Sequence, residues 1–275
     1  MYKLLAWIIS GVLSIYILII AYVYINQANI VLSPSSDYHP PPKSFNITQN
    51  FIQFGNNDSL HTWYIGNNNN NLTVLYFSGN AFNISHRLFH VDVFNQLNLN
   101  AVMFDYKGYG LSNGLIEGRE SFFESSELVY DYMIEDLGIS PDSIIFWGYS
   151  LGSPIAAELA SKKNCLGIIL ESPVISINKI SKEKFPYLPF SMINKFDFNI
   201  DHYIDQSDAP IILIHSVEDD VIPIRHALEF YNNLNRNNKK MLKIKGKHRL
   251  SAFNSFPVYF DNIKSFISDL TKSVN

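Results

Sequence analysis

Ser150 lies at the centre of Gly148-Tyr149-Ser150-Leu151-Gly152, a G-x-S-x-G spacing that can make a serine hydroxyl a nucleophile. The spacing has chemical force only on a sharp strand-to-helix turn, where a Cβ two positions either side of the serine would collide with neighbouring backbone. That setting is legible here. Residues 143–147 form a short apolar run that reads as a buried strand, and residues 153–161 read as a helix with Pro154 in its first turn. An ordinary strand-to-helix turn could carry the same residues, so the reading depends on partners.

A serine hydroxyl is a poor nucleophile until a base takes its proton, and the base needs a carboxylate to fix its tautomer. On such an elbow the acid and then the histidine follow along the chain. Residues 210–215 read as a strand, with Glu218, Asp219 and Asp220 just past its end. Spacing leaves Asp219 and Asp220 as alternatives. Only His226 and His248 come later. His226 falls inside a helix beginning near Ile224 and reads as a surface residue. His248, in the loop Lys245-Gly246-Lys247-His248 after the last strand, is the candidate base. His215 reads as a support for the acid loop, and His86 and His90 read as structural residues of the first sheet-covering helix. No spacing among the histidines points to a metal site, and no cofactor is expected. The oxyanion formed in acyl transfer needs two backbone N–H donors. Leu151, after the nucleophile, is one; the loop of residues 78–83 supplies the other, with Asn80 best placed and Ala81 close behind.

These groups need a scaffold that gathers loops at one edge. Residues 45–54 and 60–65 alternate as antiparallel strands should, whereas 72–77, 101–104, 144–147, 166–170 and 211–214 are continuous apolar runs. Amphipathic stretches at 85–95, 120–137, 154–162 and 224–234 separate them, and a strand at 241–244 and a helix at 256–270 close the chain. Buried strands alternating with helices predict an α/β domain with a mostly parallel sheet covered on both faces. Ligands then gather at the carboxyl ends of the strands. The asparagine run 67–71 reads as a solvated hairpin turn.

Composition narrows the function classes. The 275 residues suit one sizeable domain with an appendage. A net charge of −4 without basic clusters argues against nucleic acid. The single cysteine, Cys165, permits no intramolecular disulfide and reads as a small buried residue at a strand edge. Residues 4–25 carry no charge and match the roughly 20 apolar residues of a spanning helix. Aromatic residues rather than a small-residue cleavage site end the run, which favours a retained signal anchor. Lys3 precedes it and no Lys or Arg follows until Lys43, so residues 1–3 are expected in the cytoplasm and the domain on the other side. Residues 26–44, with Pro40-Pro41-Pro42, read as a stiff polar linker, and 45–275 as the folded domain. N-x-S/T sequons begin at Asn46, Asn57, Asn71 and Asn83.

With these pieces placed, the chain resembles the membrane-anchored α/β-hydrolase-domain proteins, the Bem-type branch close to the palmitoyl-protein hydrolases, and is similar to serine aminopeptidase-like hydrolase domains. The resemblance runs from about residue 45 to the end. It is carried by Ser78-Gly79-Asn80-Ala81-Phe82-Asn83-Ile84-Ser85-His86-Arg87, by Asp105-Tyr106-Lys107-Gly108-Tyr109-Gly110-Leu111-Ser112-Asn113-Gly114, by Glu171-Ser172-Pro173 and by Phe185-Pro186-Tyr187-Leu188-Pro189. It implies the α/β-hydrolase fold with a small cap at about 174–206. It also selects Asp219 as the acid and His248 as the base. Ser78 stands where the family has His, and Phe82 where it has Gly. Phe82, Tyr149 and the cap residue Tyr187 are the candidate substrate-pocket residues. The implied activity is cleavage of an ester or thioester of a small acyl or lipid-derived substrate through an acyl-enzyme. A peptidase acting on short peptides and a non-catalytic membrane-bound binding module are the rivals. The oligomeric state is not legible.

Overall fold

The computed structural model describes residues 1–55, 57–67 and 71–272. Its first element is α1 (Tyr2–Ile25), a helix long and apolar enough to cross a membrane, with none of its apolar window buried against the rest of the chain. Then follow α2 (Gln27–Val31), β1 (Ser33–Pro34), β2 (Ile47–Phe54), β3 (Asp58–Ile65), β4 (Thr73–Phe77), β5 (Ala81–Phe82), α3 (Leu88–Gln96) and β6 (Asn100–Phe104). The second half runs α4 (Glu120–Glu135), β7 (Ile144–Tyr149), α5 (Gly152–Lys162), β8 (Gly167–Glu171), α6 (Ile177–Lys184), α7 (Phe190–Ile193), β9 (Ile211–Ser216), α8 (Ile224–Asn233), β10 (Lys239–Ile244), α9 (Ser251–Asn254) and α10 (Phe256–Lys272).

Eight strands form one sheet in the order β10-β9-β8-β7-β4-β6-β3-β2. The first six are mutually parallel, and β3 and β2 pair antiparallel at the edge. The inner parallel strands β4, β7, β8 and β9 are buried along their whole length because helices cover both faces, whereas the edge strand β10 carries three lysines among its apolar residues. Along β4 the two-residue pleat sends Leu75 and Phe77 to one face, with α4, α5 and the cap, and Val74 and Tyr76 to the other, with α3 and α10.

Two expectations change here. Asn67–Asn71 was expected to turn a hairpin, but β6 is inserted between β3 and β4, so the strands it joins are not neighbours; residues 68–70 lie outside the described residues. Residues 26–44 read in the sequence as a stiff polar linker, yet their first half is folded onto the domain. Leu32 is 3% exposed and Gln27 4% exposed. The β1 strand pairs in parallel with β5, and the Ser35 carbonyl accepts hydrogen bonds from the Gly110 amide (3.1 Å) and the Asn83 side chain (2.9 Å). The segment lacks charge around Leu32 and satisfies its backbone against the loop after β4, which makes it part of the fold.

Candidate active site

The loops after β4, β7, β9 and β10 all leave the same carboxyl edge of the sheet, and each carries one part of the predicted constellation. Ser150 follows β7 with φ +53°, the left-handed region that a non-glycine residue occupies only under constraint. The flanking glycines supply the constraint. A Cβ at Gly152 would sit 2.0 Å from the Phe77 carbonyl oxygen, and one at Gly148 would sit 2.6 Å from that of Gly152. Only backbone without side chains lets α5 begin this close to β4. The Ser150 amide donates to the Glu171 carbonyl at 2.8 Å, tying the turn to the end of β8.

His248 Nε2 is 3.0 Å from Ser150 Oγ, and His248 Nδ1 is 2.7 Å from Asp219 Oδ2. The other Asp219 oxygen accepts from the Val221 and Ile222 amides at 2.9 and 2.7 Å. Burial pushes the Asp219 carboxyl up, but the His248 hydrogen bond and charge and the two amides outweigh it, and the net direction is down. Asp220 instead accepts from the His248 backbone amide at 3.1 Å and stays half in solvent. His215 Nε2 donates to the Ile222 carbonyl at 2.9 Å and lies 3.4 Å from Asp219. Burial holds its imidazole below its ordinary value, so it braces the acid loop as a neutral ring. His226 is not on the surface: it is 2% exposed and lies 3.2 Å from Glu183 of α6, joining α8 to the cap.

Asn80 and Leu151 line the same cavity as Ser150, and the backbone amide of neither has an intramolecular acceptor among the described residues. The loop that presents Asn80 is held from behind by residues that spacing alone did not single out. Tyr109 OH donates to the Asn80 carbonyl and Tyr106 OH to the Ser78 carbonyl, both at 3.0 Å. Asp105 accepts from the Ile84 amide at 2.8 Å, with His61 against its other oxygen at 3.2 Å. The Asp105-to-Ser112 motif is therefore a brace for the candidate oxyanion loop.

A cavity of about 300 Å³ opens beside Ser150. Its walls are mainly apolar: Ile30 and Val31 of α2, Leu151, Ile177, Phe185 and Phe190. Phe82 and Tyr149 line an adjoining cavity of about 340 Å³ that shares His248 and Arg249 with the first. The cause at Phe82 is its φ of +66°, which turns the ring to stack on His86 at 4.9 Å under the Arg249 guanidinium. Tyr187 lines neither cavity; it is 85% exposed at the cap's tip. His86 lies in a single 3-10 turn before α3, near Asp37 and His39, with ligand atoms within 4.8 Å of one another. Two of those three are solvent-exposed, the ordinary state of surface polar groups. A larger cleft of about 510 Å³, bordered by Lys107, Glu120 and Glu124, touches none of the Ser150 groups.

Beneath the elbow, Glu171 is fully enclosed. One of its oxygens accepts from Tyr259 OH (2.7 Å), Trp147 Nε1 (3.0 Å) and His90 Nε2 (3.2 Å). Burial pushes this carboxyl up, while the His90 charge and the three hydrogen bonds bring it net below its ordinary value. Cys165 lies just before β8, partly exposed, and burial of its thiol pushes its pKa up to about 12. The Asn83 side chain is 1% exposed and donates to Ser35 and Asp37, which leaves that sequon no room for a glycan in the folded chain.

This topology, with a strand–turn–helix serine at the sheet's carboxyl edge, defines the α/β-hydrolase fold. No family model matches the chain. It is 27% identical over 201 residues to alpha/beta hydrolase domain-containing protein 17C of Xenopus tropicalis, covering 71% of this chain and 61% of that protein. An uncharacterized membrane protein of Saccharomyces cerevisiae is 28% identical over 246 residues, covering 87% of this chain and 84% of its own. The match thus spans about three fifths of the 17C relatives and most of the yeast protein. Among solved structures, the Pyrococcus furiosus esterase Pf2001 superposes with TM-score 0.71 at 19% identity, covering 87% of this chain and 98% of that one. An α/β hydrolase of Vibrio vulnificus gives 0.67 at 19% identity, covering 80% and 81%.

Proposed function

We propose that the protein is a membrane-anchored serine hydrolase that cleaves an ester or thioester of an acyl group through an acyl-enzyme. The observation that carries the reading is the continuous array Ser150 Oγ–His248–Asp219, at 3.0 and 2.7 Å, facing an apolar cavity. In this reading Ser150 Oγ attacks the acyl carbonyl as His248 Nε2 takes its proton. Asp219 holds the Nδ1–H tautomer and offsets the imidazolium charge. The Asn80 and Leu151 amides receive the oxyanion. His248 then gives its proton to the departing alcohol or thiol, and water, activated by the same imidazole, releases the acid and restores Ser150.

The apolar walls favour an acyl chain over the backbone of a short peptide, which would bring polar amides into the cavity without partners. The anchor is α1, and the lone Lys3 before it supports a cytoplasmic N-terminus with the domain opposite. Full-length protein in membranes is expected to take a fluorophosphonate label, and Ser150→Ala to lose it. Equal labelling of the two would end the assignment.

A further inference from the structure

We propose that the cap segment of residues 185–193 is immersed in the lipid bilayer beside α1, so that the cavity at Ser150 draws its acyl group from the lipid phase. The proposal rests on the membrane-anchor part of the reading above, and its first half is independent of the serine chemistry. Residues 185–193 contain no charged side chain, whereas Lys182, Lys184 and Lys195 flank them. Tyr187 and Met192 are each 85% exposed and Phe185 is 53% exposed. Neighbouring large apolar side chains left this open are unusual on a surface bathed only in water.

The occupant is indicated by where the segment lies along α1. Its base is level with the helix end. Gln27 Nε2 donates to the Ile193 carbonyl at 2.6 Å, the Lys195 amide donates to Gln27 at 2.7 Å, and the Lys195 ammonium sits 4.4 Å over the Tyr24 ring. Its tip is level with the middle of the helix, where Tyr16 OH donates to the Tyr187 carbonyl at 2.7 Å. Residues 16 and 24 are separated by about 12 Å along a helix axis. If α1 spans a bilayer with its end at the interface, the loop tip is about 12 Å deeper, close to the burial depth of an interfacial apolar segment. The charges are distributed to match, with the lysines at headgroup level and the uncharged tip below. Phe185 and Phe190 belong to this segment and also wall the cavity, together with Ile30 and Val31 just past α1. One apolar surface thus runs from the lipid side of α1 to Ser150.

The test uses the full chain in phosphatidylcholine vesicles containing a minor fraction of phosphatidylglycerol. In a Cys165→Ser background, an environment-sensitive dye is attached at the tip by Tyr187→Cys or, as a control on the far side of the domain, at Lys264→Cys. The Tyr187 site is expected to be quenched by nitroxides on lipid acyl chains and protected from aqueous iodide, with the reverse at Lys264. Iodide quenching at Tyr187 equal to that at Lys264 would overturn the proposal, as would protection from both quenchers, the mark of a protein covering the loop. The double variant Tyr187→Asp, Met192→Asp should slow hydrolysis of a vesicle-borne long-chain ester about tenfold or more. Hydrolysis of a soluble short-chain ester should be unchanged. Equal effects on both esters, or none on either, would overturn delivery from the lipid phase. Lipid quenching at Tyr187 in a protein that takes no fluorophosphonate label would instead overturn the hydrolase reading, and delivery with it, while leaving immersion standing.

Discussion

Asp219 and Asp220 are adjacent carboxylates that the chain treats in opposite ways. Asp219 is buried against His248 Nδ1, and Asp220 touches only the backbone of that histidine. Under the proposed mechanism, Asp219→Asn should lower kcat roughly a thousandfold or more, because the imidazole loses the partner that fixes its tautomer. Asp220→Asn should cost less than about tenfold, since a neutral amide oxygen can still accept from the His248 amide. Comparing ester hydrolysis by the two variants checks the assignment; similar losses would remove it. Tyr109→Phe is subtler. It deletes the donor on the Asn80 carbonyl, and a loosened oxyanion loop should appear as about a three- to tenfold fall in kcat with KM nearly constant. A fall in kcat/KM carried by KM alone would place Tyr109 in ground-state binding instead.

At the scale of elements, the β7–α5 elbow is the tightest joint. Gly152→Ala would push a methyl group into the Phe77 carbonyl, with backbone on both sides and no flexible end to yield. The expected result is loss of soluble folded protein or a large fall in Tm, measured by near-UV circular dichroism. The Glu171 hub joins β8, β7, α3 and α10, and removing its carboxylate strands three donors in the core. Glu171→Ala should cost about 3–5 kcal/mol in denaturant unfolding. The hub also predicts a pH dependence. Glu171 and Asp219 both have depressed carboxyl values, so their stabilisation is fully present above the unfolded carboxyl range and is lost as pH falls through the lower folded values. His215 is lowered as well, and for a base the consequence begins earlier. Below about pH 6.5 the unfolded chain takes up a proton that the folded ring resists, and stability declines. Stability is therefore expected to fall in two stages on acidification, near pH 6.5 and again below about pH 4. His215→Asn should weaken the first stage and leave the second, the remainder of the first coming from His86, whose imidazole burial also holds below its ordinary value.

At the scale of the molecule, the folded domain begins at about Gln27 rather than after Ser44. Protein beginning at Gln27 keeps Leu32 buried and β1 paired with β5, whereas protein beginning at Ser44 loses both. The shorter form should unfold about 5–10 °C lower by calorimetry, reflecting the burial of one leucine and several hydrogen bonds. It should also lose the Ile30 and Val31 wall of the cavity, so under the proposed function its hydrolysis of long acyl esters should fall relative to that of short ones. The same docking fixes the orientation of the cap through Gln27, and helix, cap and cavity thereby form one continuous structure.

The sequence by itself determined the order of strands and helices, the serine at a strand–helix turn, and the loops that carry the acid, the histidine and the Asn80 amide. Those features are local: apolar runs, glycine spacing and chain order are set within a few residues of each position. Tertiary structure decided what depends on chain segments far apart in sequence. It buried His226 against the cap, turned Phe82 away onto His86, placed Tyr187 outside both cavities, and inserted β6 between β3 and β4. It also made Leu32 a core residue, in a stretch whose pattern does not set it apart, and made Glu171, of the Glu171-Ser172-Pro173 motif, a hub for three donors. Their roles come from surfaces brought together only when the sheet closes, and neither hydrophobic periodicity nor motif spacing encodes which distant surface a residue will meet.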